Sequence, residues 1–220
     1  MQDLNIALKY SPYILFDKAE PFSVDHIGYT VLRTSGQSPS FRRSISFNVE
    51  DAAFCIEYAV YFDYDIQHLY DLEHIWVYVD HQGQICDAEA SFHGIYLKSM
   101  SLGNSILREN FHLEIYCQPG KHAFLPKGHL FKMLPDWYLA CNALAGQEGL
   151  LVPNMFKDQF CTNAQRDELV CRYIRSHFSF EPTLKFESRP LSDSLFVPWQ
   201  KLKKNIPKRI ENQLIKIQSS

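Results

Sequence analysis

Tyr61-Phe-Asp-Tyr-Asp-Ile-Gln-His-Leu-Tyr-Asp-Leu-Glu-His74 joins two strand-like runs, 54–63 and 73–80, through a short connection from Ile66 to Tyr70. Taken as a strand, 71–80 alternates. Asp71, Glu73, Ile75, Val77 and Val79 share one face, and Trp76, Tyr78 and Asp80 share the other. The apolar trio marks the first face as the core face, so Asp71 and Glu73 fall at the end of the core. Two ionised carboxylates there cost several kcal/mol unless paired or metal-bound. In the preceding run, Cys55, Glu57, Ala59, Tyr61, Asp63 and Asp65 share a face if the strand extends that far.

Charge around this stretch is one-sided. From Ser44 to Leu97 there are ten carboxylates and no Lys or Arg. Acids crowded in this way call for a cation, and hard divalent ions take carboxylate oxygens with an occasional imidazole. Two strand ends joined by a tight loop bring Asp65, His68, Asp71 and Glu73 to one rim. Three carboxylates and one imidazole suit Mg²⁺, Ca²⁺ or Mn²⁺ better than structural zinc. No EF-hand loop, HExxH, P-loop or GxSxG motif accompanies them.

Working outward, 28–34, 43–48, 84–92 and 112–118 also read as strands, separated by turn-formers such as Ser35-Gly36 and Pro119-Gly120. The expected fold is mainly β, with an antiparallel β-sandwich core over 1–130 carrying the metal site. The remainder, 131–220, reads as a mostly helical extension packed on that core. Helices are expected over 135–145, over 163–178 after Asn163, and over 207–218 from Pro207.

A hydrophobic content of 46% with 14% aromatics supports a sizeable core. A net charge of -3 does not point to nucleic acid. The six cysteines are scattered without a CxxC pair, and Met1–Phe16 lacks the charged start and apolar run of a signal peptide. Reduced thiols, a cytoplasmic location and no transmembrane segment are therefore expected. The last twenty residues hold Lys201, Lys203, Lys204, Lys208, Arg209 and Lys216 against Glu211 alone, which reads as an amphipathic helix packed on the domain.

Two further histidines lie beside glycines at strand ends, His93 in Ala90-Ser-Phe-His-Gly94 and His122 in Pro119-Gly-Lys-His-Ala123. Near a metal, each can act as a ligand, as a base for metal-bound water, or as a partner orienting a ligand.

The region resembles the necrosis- and ethylene-inducing (NPP1-like) proteins. Their hallmark is a WYFPKD stretch followed by GHRHDWE and a hydrophobic strand. Val60-Tyr-Phe-Asp-Tyr-Asp65 keeps the Tyr-Phe and the final Asp, and Gln67-His-Leu-Tyr-Asp-Leu-Glu73 keeps His68, Asp71 and Glu73. Tyr70 stands for the second His of the motif and Leu72 for its Trp. Ser91-Phe-His-Gly94 and His122-Ala123 look like the family's Ser-x-His-Gly and His-Ala segments. Asp71-Leu-Glu-His74 and Gly120-Lys-His-Ala123 are similar to segments of the broader Vps62-like relatives. The resemblance spans about residues 54–125. It implies a β-sandwich with a divalent ion at one end of the sheets, held by Asp65, His68, Asp71 and Glu73.

Two functions follow as expectations. In the first, the ion orients a glycan or polar lipid headgroup at the rim, where Tyr64, Tyr70, Phe92 and Tyr96 offer ring faces. In the second, the ion serves a metal-dependent hydrolase with His93 or His122 as base. No residue is marked as a nucleophile, which favours recognition.

Overall fold

The computed structural model describes residues 2–47, 52–100 and 107–220. Helix α1 (Gln2–Lys9) precedes β1 (Tyr13–Asp17), β2 (His26–Leu32), and the short hairpin of β3 (Gly36–Gln37) and β4 (Ser44–Ile45). Then come β5 (Ala52–Tyr64), β6 (His68–Asp80), β7 (Ile85–Phe92), β8 (Ile95–Lys98), β9 (Leu107–Arg108), β10 (His112–Cys117) and β11 (Phe124–Leu125). The chain ends with β12 (Gly149–Leu150), α2 (Ala164–Phe178), β13 (Phe186–Ser188), β14 (Phe196–Pro198) and α3 (Trp199–Gln218). Residue 48, the last of the strand expected over 43–48, lies outside the described residues.

The larger sheet runs β14-β2-β5-β6-β7-β8 with β12 also on β6, and the smaller runs β11-β10-β1-β13 with β9 on β10. Strand alternation explains how they pack. Tyr58, Val60 and Phe62 of β5 share a core with Ile75, Val77 and Val79 of β6. Ile14, Phe16, Ile115 and Phe124 of the smaller sheet close that core from the other side. This is a mainly β sandwich with C-terminal helices. The opposite face of the larger sheet, through Ala59, Tyr61 and Leu69, is covered by Val170 and Ile174 of α2 and by Trp199, Leu202, Ile206 and Ile210 of α3. Gly28 permits that contact, since a Cβ there would lie 2.9 Å from the Trp199 ring.

Several local expectations are corrected. The sheets are mixed, because β1 with β10, β12 with β6 and β14 with β2 pair in parallel. Two of these pairings come from residues after 131, whose three short strands join both sheets. The helix expected over 135–145 is only a 3-10 turn at Leu139–Cys141. Three of its carbonyls are used in tertiary bonds: Cys141 O accepts from Phe180 N, Leu144 O from Gln67 Nε2 and Ala145 O from Arg175 Nε. The helix after Asn163 forms as expected, with the Asn163 side chain accepting from Arg166 N. The last helix begins at Trp199, well before Pro207. Proline in a helix interior removes a hydrogen bond, but buried Leu202, Ile206, Ile210 and Leu214 continue through it. One packed stripe outweighs one lost bond. Among the described residues, no helix is long and apolar enough to cross a membrane.

Candidate metal centre

The β5–β6 hairpin builds the site. Phe62 pairs with Asp71 and Val60 with Glu73, which puts both acids on the sandwich-core face. Asp63 lies on the opposite face and faces α3. Asp65 escapes that alternation because the strand ends at Tyr64. Asp65 N donates to His68 O (3.0 Å), and Asp65 Oδ1 accepts from Gln67 N (2.7 Å). A second turn is pinned against this one, since Ile66 N donates to Gly120 O (2.8 Å). Gly120 has φ +69, and a Cβ there would meet Ile66 Cγ2 at 2.8 Å, so only glycine fits. Glu20 holds the same turn by accepting from Gly120 N at 2.7 Å. His122 follows with φ +56, and its ring stacks on Phe62 at 3.8 Å between centroids, 7° from parallel.

Ligand atoms of Asp65, Asp71 and His122 all lie within 4.8 Å of one another. His122 Nδ1 is 3.4 Å from Asp71 Oδ2, and its Nε2 is 3.8 Å from Glu20 Oε1. Asp65 Oδ2 and both ring nitrogens of His122 are buried without a hydrogen-bond partner. Burial pulls the His122 imidazole down, but Asp71 and Glu20 outweigh it and lift it to about 10. Burial pushes the Asp71 carboxyl up, yet the His122 imidazole 3.4 Å away and that of His68 bring it below its ordinary value. Glu73 is pushed well up, first by burial and then by Asp71. These donors fit a divalent ion: hard carboxylate oxygens, one of them unpartnered, beside an imidazole. Binding would have to release the His122 proton, because a ligating imidazole is neutral.

The other residues singled out by sequence adjoin this cluster. His68 turns Nδ1 to Tyr70 O (2.7 Å), and its Nε2 lies 3.6 Å from Asp65 Oδ1. Glu73 accepts a short hydrogen bond from Ser91 Oγ. His93 is exposed with φ +48, its Nε2 2.8 Å from Gln118 Oε1. Sequence reasoning did not single out Glu20 or Lys121. Lys121 Nζ lies 2.8 Å from Gln67 Oε1 and 3.4 Å from Asp65 Oδ1. Burial opposes its charge, but Asp65 and its acidic neighbours raise its pKa. The Gly-Lys-His-Ala motif was a local pointer to Lys121; Glu20 had none.

A cavity of about 450 Å³ opens beside the cluster. The pairing explains its position. Strand β12 pairs with His68 and Leu69, while β7 first pairs with β6 at Ile75. Neither strand pairs with residues 70–74, so side chains from both faces reach one space. Asp71, Glu73, His74, His93 and Lys121 line it, with Phe41, Tyr70, Met155 and Phe156 as apolar wall. Of the four rings expected at the rim, Tyr70 lines the cavity. Tyr64 bonds Gln213 of α3 instead (2.7 Å), and Phe92 and Tyr96 are outside the lining.

No family model matches the chain, and no curated protein matches it either. Among solved structures it is similar to NLPPya, an NPP1-like protein. NLPPya in complex with glucosamine matches at 18% identity and TM-score 0.36, over 55% of this chain and 64% of that one. NLPPya in complex with mannosamine matches at 17% identity and TM-score 0.35, over 55% and 65%. A triple mutant of NLPPya matches at 18% identity and TM-score 0.37, over 70% and 86%. The first two matches thus span just under two thirds of NLPPya.

Proposed function

We propose that this chain is a divalent-metal-binding recognition protein that takes a glycan or a polar lipid headgroup in the cavity beside Asp65, Asp71 and His122. The observation that carries this reading is the buried, unpartnered Asp65 Oδ2 within reach of His122 and of Asp71, which itself lines an open cavity. Asp65, Asp71 and His122 would hold the ion, with His68 and Glu73 next to it. A bound Mg²⁺, Ca²⁺ or Mn²⁺ supplies positive charge that fixes ligand oxygens. Tyr70, Phe41 and Phe156 supply ring surface, and Asp71, Glu73 and Lys121 supply polar contacts. Titration calorimetry with each ion, then with glucosamine and mannosamine and a glycan array with and without chelator, tests the reading. Ligand binding that vanishes with chelator and in Asp71→Ala is the expected result. Binding that survives chelation overturns it.

One observation favours hydrolysis as a second reading. Burial and Asp71 push the Glu73 carboxyl in the cavity wall well up, while neighbouring Asp71 is brought down, and carboxyls driven apart in this way suit a proton donor beside a charged partner. His122 has no exposed surface, so the role of base falls to His93 at the opening. Absence of turnover on phosphoesters, glycosides and esters with every divalent ion tested removes this reading.

A further inference from the structure

We infer that Lys121 is a built-in competitor for the divalent ion, a side chain whose ammonium weakens and thereby tunes metal binding at Asp65 and Asp71. This rests on the metal reading above. Lys121 Nζ is 3.4 Å from Asp65 Oδ1, and its side chain is only 13% exposed. Lys121 and His122 are consecutive, so one turn delivers two cations to one acid pair: the ammonium to Asp65 and the imidazole to Asp71. Gly120 and Glu20 lock that turn, so the delivery is a property of the backbone and not of a wandering surface lysine.

The placement is asymmetric. The ammonium approaches one oxygen of Asp65, while Oδ2 stays buried and unpartnered. A divalent ion taking Oδ2 therefore settles a few ångströms from the Lys121 ammonium. At that separation repulsion is large even at the effective dielectric of a protein interior. The ammonium can retreat, because Lys121 also lines the cavity. The same charge has a use without the ion: it offsets Asp65, which would otherwise be an uncompensated buried carboxylate. The centre therefore folds in either state and responds to ion concentration, unlike a permanently loaded structural site.

The test is calorimetric titration of Mg²⁺, Ca²⁺ and Mn²⁺ into the full chain and its Lys121→Met, Lys121→Gln and Lys121→Arg forms. Methionine keeps the aliphatic stem, and glutamine also keeps a donor for Gln67, so the pair guards against a misfolded variant. Expected is at least tenfold tighter ion binding in the two neutral variants and wild-type affinity in Lys121→Arg. Wild-type binding with unchanged or weaker affinity in both neutral variants overturns the Lys121 inference alone. No binding by wild type or either neutral variant overturns the metal reading, and the inference with it.

Discussion

Two pairs of carboxylates lie on opposite faces of one end of the β5–β6 hairpin, and they are neutralised differently. On the outer face, Arg209 of α3 grips Asp63 with two bonds (2.9 and 2.7 Å) and reaches Asp25 at 2.8 Å. Gln213 donates to Asp63 at 2.7 Å, and Asp25 Oδ2 accepts from Asp63 N. Each carboxylate oxygen there has a donor. On the inner face, no arginine among the described residues pairs with Asp65 or Asp71; Lys121 and His122 approach at 3.4 Å and His68 at 3.6 Å, and one oxygen is left over. Acids that look equivalent in sequence thus divide into a closed structural pair and an open pair with capacity for a ligand. Bidentate arginine leaves no room for an ion; a turn with an orphaned oxygen does.

The comparison can be broken most severely at Arg209. Arg209→Ala leaves Asp25 and Asp63 without their cation and is expected to cost about 2–3 kcal/mol in urea unfolding, less than for a fully buried pair because all three groups retain some exposure. Divalent-ion affinity should not change. The converse is Asp71→Asn, for which calorimetry should find ion binding weakened on the order of 100-fold with far less loss of stability. Adding an ion at a hundredfold excess over its Kd should stabilise wild type by about 2.7 kcal/mol and leave Asp71→Asn unmoved. Removing the accessory donor with Gln213→Ala should cost about 1 kcal/mol, again with ion binding intact.

The smallest effect is a pH dependence confined to the outer pair. Burial, and then Asp63, raise Asp25 to about 6 from 3.8. A carboxyl raised in the folded state contributes fully below pH 3.8 and loses that contribution as pH rises through 6. The full shift corresponds to about 3 kcal/mol, which solvent screening at a side chain 30% exposed reduces to about 1. Asp25→Asn should therefore flatten the stability profile between pH 4 and 6. An unchanged slope in that window would show that burial and Asp63 do not raise the Asp25 carboxyl.

Much of the hairpin was legible in advance. Alternation placed Asp71 and Glu73 with Ile75, Val77 and Val79, and the pairing of Phe62 with Asp71 agrees. Alternation put Asp65 on the face of Asp63 only if the strand extended that far, and local pattern alone did not fix where the strand ends. The strand stops at Tyr64, and the turn re-aims Asp65 to the inner face. The absence of Lys and Arg from Ser44 to Leu97 was misleading for Asp63. Its arginine lies 146 residues downstream, a distance no local reading spans. Residues 135–145 carried helix-forming signals, yet Leu144 O accepts from Gln67 of the hairpin turn and Cys141 O from Phe180 N.

The sequence by itself determined which strands alternate, where an apolar face ends in acids, and which turn must carry glycine. Those are local properties, set by the two-residue period of a strand and the steric freedom of one position. Only the tertiary structure decided which cation meets which acid. It set Arg209 on Asp63, Lys121 and His122 on Asp65 and Asp71, and Glu20 behind them. Charge pairing acts through space over a few ångströms and is indifferent to separation along the chain. The open centre and its cavity therefore come into being only when β12, β7 and the turn at Gly120 close around the hairpin.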